Sequence, residues 1–235
     1  MSSVLEVSDL EVSYHDGTRA LRGVSMQIAP AQRVALIGSN GAGKSTLLLA
    51  LMGALHYSGS IRVDGIALSP KTVEQVRSRC GMVFQDAEDQ LFSPTLLEDV
   101  AFGPLNQGHS AHAARAKAME AIAAVGLEGL ENKPAHHLSG GQKRCAALAT
   151  ILSMQVQVLL LDEPGANLDF RSRRRLMDLL STRREAQLIA THDLDMVRRL
   201  CTRVILLHDG LVVADGPTGA ILADSDLLRK HAMAD

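Results

Sequence analysis

Long apolar runs are missing from this chain. Although 46% of its 235 residues are apolar, no window approaches the roughly 18 uncharged apolar residues needed to cross a bilayer, so no membrane span is expected. The stretch Met1–Leu10 lacks the basic start and apolar run of a signal peptide and carries Glu6 and Asp9 within an alternating pattern. A cytosolic chain is the expectation. Cysteine is scarce: Cys80, Cys145 and Cys201 are odd in number, far apart, and set in apolar or helical contexts. That excludes a disulfide framework and a Cys-x-x-Cys metal site and leaves reduced packing residues. Neither charge sign dominates, with 24 Lys plus Arg against 26 Asp plus Glu, so there is no basic footprint for nucleic acid. The run Arg171, Arg173, Arg174 and Arg175 opens a predicted helix that continues into Leu176, Met177, Leu179 and Leu180, and reads as a solvated face. Aromatic residues are scarce too: no tryptophan, two tyrosines and four phenylalanines. Three of the four, Phe84, Phe92 and Phe102, fall within "FQDAEDQLFSPTLLEDVAFGP", which raises the question of what that stretch touches.

What is present is an alternation of strand and helix patterns. The segments "VLEVSDLEVSY" and "GSIRVDG" alternate apolar with polar residues, as half-exposed antiparallel strands do. By contrast "RVALIG", "GMVFQ", "QVLLLDE", "QLIATH" and "RVILLHDG" are short, nearly continuous apolar runs, suited to strands covered on both faces in a parallel sheet. Helical patterns lie between them. "TLLLALMG" follows the first run, and "QKRCAALATILSM" precedes the third with Cys145, Leu148, Ile151 and Leu152 at helix-face spacing. "SAHAARAKAMEAIAAVGL" is rich in alanine, has Ser110 as N-cap and stops at Gly126. The length suffices for a core without disulfides. The expectation is one α/β domain over residues 1–235: a mostly parallel core sheet, an antiparallel sheet on its N-terminal side, and a helical insert starting at roughly 95–134.

Three motifs carry chemistry. "GSNGAGKST", comprising Gly38, Ser39, Asn40, Gly41, Ala42, Gly43, Lys44, Ser45 and Thr46, follows a buried strand and opens a helix, which is the context a phosphate-binding loop needs. Gly41 and Gly43 permit positive φ, so backbone N–H groups face phosphate oxygens at a helix N-terminus. Lys44 supplies charge to the β and γ phosphates of a nucleotide, and the Ser45 hydroxyl can coordinate Mg²⁺. "VLLLDEP" ends a buried strand in two adjacent acids. Asp162 would hold Mg²⁺ through water, and Glu163, freed by the turn, would act on the attacking water. In "LSGGQ", Ser139 and Gln142 stand at capping-box spacing while Gly140 and Gly141 expose backbone amides. That segment is either a well-made cap or a second anion site serving another subunit's nucleotide.

With Gln85 after a buried strand, "ANLD" ending at Asp169, and "THD" containing His192, these motifs stand in the order shared by ABC-type ATPase domains. The resemblance covers essentially the whole chain. It implies a head-to-tail dimer in which each ATP lies between the phosphate loop of one subunit and Ser139, Gly140, Gly141 and Gln142 of the other. It implies further that Tyr14 stacks on adenine, Gln85 contacts Mg²⁺ and the attacking water, His192 holds the γ phosphate, and Asp169 joins the two sites across the interface. In such transporters a cytosolic helix of the membrane subunit sits beside the glutamine loop. Phe92 and Phe102 are therefore expected to line a partner groove, with Leu91, Leu96 and Leu97 beside them, and Phe84 to belong to the core.

The wording "FQ…EDQLF…T…EDVAFGP" with "LSGGQKR" resembles the ATPases of energy-coupling-factor transporters, which import cobalt, nickel or vitamins such as biotin. Asp86 and Ala87 replace the Asn-Pro pair expected there. The chain ends soon after Asp215-Gly216-Pro217, suggesting a compact member that dimerises through its nucleotide sites. Because every motif occurs in one chain, the resemblance implies a homodimer with two complete sites. It would be peripheral on the cytoplasmic side of the membrane, with an integral-membrane coupling protein and a substrate-binding membrane subunit as partners. A soluble assembly ATPase of the same superfamily is the rival reading. The scattered histidines read as surface or capping residues, since a metal site needs converging ligands.

Overall fold

In the computed structural model, which describes residues 3–231 and 233, the chain alternates strands and helices. The first half runs β1 (Leu5–Ser13), β2 (Arg19–Ile28), β3 (Arg33–Ile37), α1 (Lys44–Leu51), β4 (Ser58–Val63), β5 (Ile66–Ala67), α2 (Val73–Arg77), β6 (Cys80–Val83), α3 (Leu96–Asn106) and α4 (Ala111–Ala124). The second half runs α5 (Gly140–Leu152), β7 (Val158–Asp162), α6 (Phe170–Thr182), β8 (Ala186–Ala190), α7 (Leu194–Leu200), β9 (Arg203–His208), β10 (Leu211–Pro217), α8 (Thr218–Ala223) and α9 (Ser225–Lys230). The first two residues of Met1–Leu10, and positions 232, 234 and 235 of the expected domain, lie outside the described residues.

Two sheets form, a four-stranded one in the order β2-β1-β4-β5 and a six-stranded one in the order β10-β9-β3-β8-β7-β6. The first is antiparallel throughout. In the second β6, β7, β8, β3 and β9 are parallel, and β10 is an antiparallel edge. Side chains of the parallel strands alternate between two cores, as the period of two requires. Leu159 and Leu161 of β7, Ile37 of β3 and Leu206 of β9 join the helices on one face. Leu160, Leu36 and Leu207 meet α1 and the antiparallel sheet on the other. Burial on both faces is why these strands read as unbroken apolar runs.

The strand β2 escaped the sequence reading. Its buried positions Leu21, Val24, Met26 and Ile28 lose the alternation at Gly23 (φ 92°), where the pairing with β1 steps from Leu10↔Val24 to Glu11↔Arg22. A bulge of this kind breaks the period that identifies a strand. The predicted start and stop of α4 are present: Ser110 Oγ accepts from Ala113 N at 3.3 Å and the helix gives way at Gly126 (φ 73°); α3 is capped in the same way by Thr95 Oγ1, which accepts from Glu98 N at 3.3 Å. Helices α3 and α4 pack on each other and on α5. Cys80 and Cys201 are buried and Cys145 half-buried, all three as free thiols. Burial pushes Cys80 and Cys201 up to about 12.

Candidate functional site

The C-terminal ends of β3, β6, β7, β8 and β9 point to one edge of the parallel sheet, where ligands of such sheets collect. There a cleft of about 740 Å³ is lined by Tyr14, Asn40, Gly41, Gly43, Lys44, Ser45, Thr46, Gln85, Asp162, Glu163 and His192. The glycines of the loop are set by sterics. At Gly43, φ is 104° and an added Cβ would meet the Ala20 carbonyl oxygen at 2.6 Å. At Gly41, φ is 82° and the space is open toward the cleft. Gly38 lies against the Leu207 carbonyl and Ala42 is buried, so these two form the underside of the loop. Lys44 Nζ donates to the carbonyls of Gly38 at 2.7 Å and Ser39 at 3.0 Å. Burial lowers the Lys44 pKa, opposed by the charges of Glu163 and Asp162.

Asp162 ends β7 and is buried. Burial pushes its carboxyl above the ordinary value, while a hydrogen bond from Ser45 and the cations Lys44 and Arg144 pull it down. Ser45, Asp162 and the exposed side chain of Gln85 bring a hydroxyl, a carboxylate and an amide to the same cleft. These are hard oxygen donors, the set that fits Mg²⁺. Glu163 follows in the left-handed region (φ 44°), so the chain turns and its carboxylate swings to the same side. It accepts from Thr191 Oγ1 at 3.0 Å and His192 N at 3.1 Å, and lies 2.9 Å from His192 Nδ1. Thr191, which the sequence did not single out, is fully buried and also accepts from Asp193 N at 3.1 Å.

Tyr14 projects from the end of β1 into the cleft, 42% exposed, with its hydroxyl 2.9 Å from Thr46 Oγ1. Thr18, Arg19, Ala20, Arg22, Asp209 and Gly210 form another part of the wall. Nothing in the sequence marked them. They arrive because β2 lies against the β9–β10 turn, where Arg22 N donates to Gly210 O at 2.9 Å.

Ser139, Gly140, Gly141 and Gln142 do not line this cleft. They open α5 with a complete capping box: Ser139 Oγ accepts from Gln142 N at 3.3 Å, and Gln142 Oε1 from Ser139 N at 2.9 Å. Gly140 faces open space, whereas a Cβ on Gly141 would meet Ser172 Oγ at 2.8 Å. Asp169 is the N-cap of α6, accepting from Arg171 N, Ser172 N and Ser172 Oγ. Those bonds, the Ser172 amide first, hold its carboxyl below the ordinary value.

The aromatic stretch divides. Phe92 is 66% and Phe102 46% exposed, and their rings pack edge to face with centroids 5.1 Å apart. They line a groove of about 310 Å³ with Phe84, Ile151 and Met154. Two expectations are corrected here. Leu91, Leu96 and Leu97 face inward and belong to the helical core: α3 buries Leu96, Leu97, Val100, Ala101 and Pro104 along one stripe and leaves Phe102 outside it, and Leu91, in the loop before α3, is buried in the same cluster. Phe84 meets its expectation in part: it packs against the core from a half-buried position and also lines the groove, since β6 ends at Val83 before reaching it. No helix of the described residues is long and apolar enough to cross a membrane.

Comparison with known proteins agrees with this geometry. Residues 21–166 match the family model described as ABC transporter. An ABC transporter ATP-binding protein of Gloeobacter violaceus is 49% identical, with 99% of this chain and 97% of that protein covered. The energy-coupling factor transporter ATP-binding protein EcfA of Methanocaldococcus jannaschii is 42% identical, with 97% and 84% covered. Among solved structures, cbiO1 from Clostridium perfringens, part of the ABC transporter complex cbiONQ, superposes with a TM-score of 0.85 at 37% identity, covering 98% of this chain and 94% of that one. The ATP-binding cassette MJ0796, in a dimeric post-hydrolysis state bound to ADP and Pi, gives 0.81 at 27% identity, with 91% and 98% covered. The chain therefore belongs to the ABC transporter ATP-binding family, whose members are ATPases, and is related to the EcfA and CbiO branch of it.

Proposed function

We propose that this chain is the ATP-hydrolysing subunit of an energy-coupling-factor-type importer of cobalt or nickel ions. The observation that carries the ATPase part is the convergence of Lys44, Ser45, Asp162, Glu163 and His192 on one cleft while the Ser139–Gln142 segment, with Ser139 and Gly140 exposed, stands outside it. A phosphate loop without its second anion site in the same subunit calls for a second copy. In the homodimer Ser139, Gly140, Gly141 and Gln142 of one subunit face the γ phosphate held by the other, and Asp169 meets its counterpart's site. Tyr14 packs on the adenine. Lys44 and the loop amides bind the phosphates, and Ser45, Gln85 and Asp162 would hold Mg²⁺, Asp162 through water. When bound there, Mg²⁺ would supply neutralising charge to the phosphates. Glu163 receives the proton of the attacking water, and His192, fixed against Glu163 through Nδ1, keeps the γ phosphate in line.

One ABC domain covers residues 1–235, with the helical subdomain beginning near Thr95 and continuing through α5. The groove of Phe84, Phe92 and Phe102 receives a helix of an integral-membrane coupling protein, which holds the chain on the cytoplasmic side of the membrane. A substrate-binding membrane subunit selects the cargo. The relationship to EcfA and cbiO1 supports the importer type; the metal cargo rests on the family resemblance of the glutamine-loop stretch.

The test is purification from native membranes under mild detergent with mass spectrometry of every copurifying chain, followed by uptake of radioactive Co²⁺ or Ni²⁺ in cells with and without this chain. A coupling protein among the partners and chain-dependent metal uptake is the expected result. Chain-dependent uptake of a vitamin such as biotin would replace the cargo, and soluble partners alone would overturn the transport role while leaving the ATPase intact.

A further inference from the structure

The loop that carries Gln85 is not free to take its own position. It leaves the sheet at Phe84, directly after β6, and is fastened to one face of α5 by polar bonds. Arg144 is 5% exposed; its Nη1 donates to the Phe84 carbonyl and its Nη2 to the Gln85 carbonyl, both at 2.6 Å. One residue earlier, Lys143 pairs with Glu88. A turn further on, Gln90 Nε2 donates to the Ala147 carbonyl at 2.9 Å and to Thr150 Oγ1 at 2.6 Å. Positions 143, 144, 147 and 150 follow helical spacing, so a single stripe of α5 holds the loop from 84 to 90. Arg144 is the buried member of that stripe, and a guanidinium serves two carbonyls at once where an ammonium is a point donor. Asp86 and Asp162 compensate its charge.

We infer that Arg144 is a positioning residue for hydrolysis: it fixes the backbone of Gln85 to the helix that Ser139 caps, so that Gln85 in one site moves with the segment that engages the partner's nucleotide. Ser139 and Arg144 lie on the same helix about 7 Å apart along its axis, too short a span to flex. A nucleotide seated on Ser139 therefore sets where Gln85 stands in the other cleft. The inference rests on the proposed role of Gln85 at the metal and the attacking water. It requires no contact between Arg144 and ATP.

The experiment measures steady-state ATP hydrolysis by the full chain, titrating ATP and Mg²⁺ separately, for Arg144→Ala, Arg144→Lys, Gln85→Ala and the double variant Gln85→Ala/Arg144→Ala. Expected for Arg144→Ala is a fall in kcat of about tenfold or more, the size seen when a supporting group behind a metal ligand is removed. The KM for ATP should stay within about twofold and the Mg²⁺ concentration for half-maximal rate should rise, because Arg144 acts through Gln85 and not on the nucleotide. Arg144→Lys should fall between Ala and the parent, and it stands in if the Ala variant fails to fold. The double variant should be no slower than Gln85→Ala alone. Losses that multiply, or a fall confined to KM, would overturn the link. A silent Gln85→Ala would instead remove the role assigned to Gln85 and the premise with it.

Discussion

At Asp162 stability and function oppose each other. Burial raises its pKa, so between the unfolded and folded values the folded protein holds the extra proton. Its contribution therefore falls as pH rises through the folded pKa, and near neutral pH the ionised buried carboxylate destabilises the nucleotide-free chain. Asp162→Asn should raise the melting temperature of that chain near neutral pH by a few degrees. The gain should shrink as pH is lowered through the carboxylate range, while ATP hydrolysis is lost. Differential scanning calorimetry across pH checks both arms, and a lower melting temperature at neutral pH would contradict the sign. The neighbouring Glu163 shows how a residue type and a backbone angle combine: the run "VLLLDE" announces two acids, but φ of 44° is what turns the second onto the side of Thr191 and His192.

Helices α4 and α5 offer a matched pair of elements. Each begins at a serine whose Oγ accepts the N3 amide at 3.3 Å, Ser110 in one and Ser139 in the other. In the bond the serine itself makes the two caps are alike, so Ser110→Ala and Ser139→Ala should each cost about 1 kcal/mol by urea unfolding. Only Ser139→Ala should slow ATP hydrolysis substantially, because only that cap is proposed to face a second subunit's phosphate. Equal effects on activity would reduce "LSGGQ" to a capping box. In α3 the sequence named the segment but not its faces: helical spacing in "TLLEDVAFGP" permits several stripes, and the packing of α3 on α4 and α5 chose the one that buries Leu96 and Leu97 and leaves Phe102 out.

For the whole molecule the prediction concerns assembly. With Glu163→Gln the ATP should bind and stay, and size-exclusion chromatography with light scattering should show a shift from monomer to dimer on adding ATP and Mg²⁺. Turnover should drop at least about a hundredfold, the range that positioned proton transfer contributes. Lys44→Ala should leave the chain monomeric under the same conditions, and an ATP-independent dimer would argue against closure through the nucleotide sites. The outer groove is tested separately: Phe92, mostly exposed, should tolerate Phe92→Asp with little change in melting temperature, yet the variant should no longer copurify with a membrane partner.

The sequence by itself determined the strand–helix alternation, the phosphate loop, the acid pair and the capping box, because each depends on residues adjacent in the chain. Period-two burial, positive φ at glycine and N-terminal caps are local constraints that leave local marks. Only the tertiary structure decided what comes from elsewhere. Thr191 reaches Glu163 because β7 and β8 pair with Asp162 opposite Ala190. Ala20 and Gly210 wall the cleft because β2 crosses the β9–β10 turn. Arg144 grips Phe84 and Gln85 across some 60 residues of chain. Such contacts join side chains whose identities are ordinary in their own segments, and their meaning lies in distances that only the packed sheet and helices set.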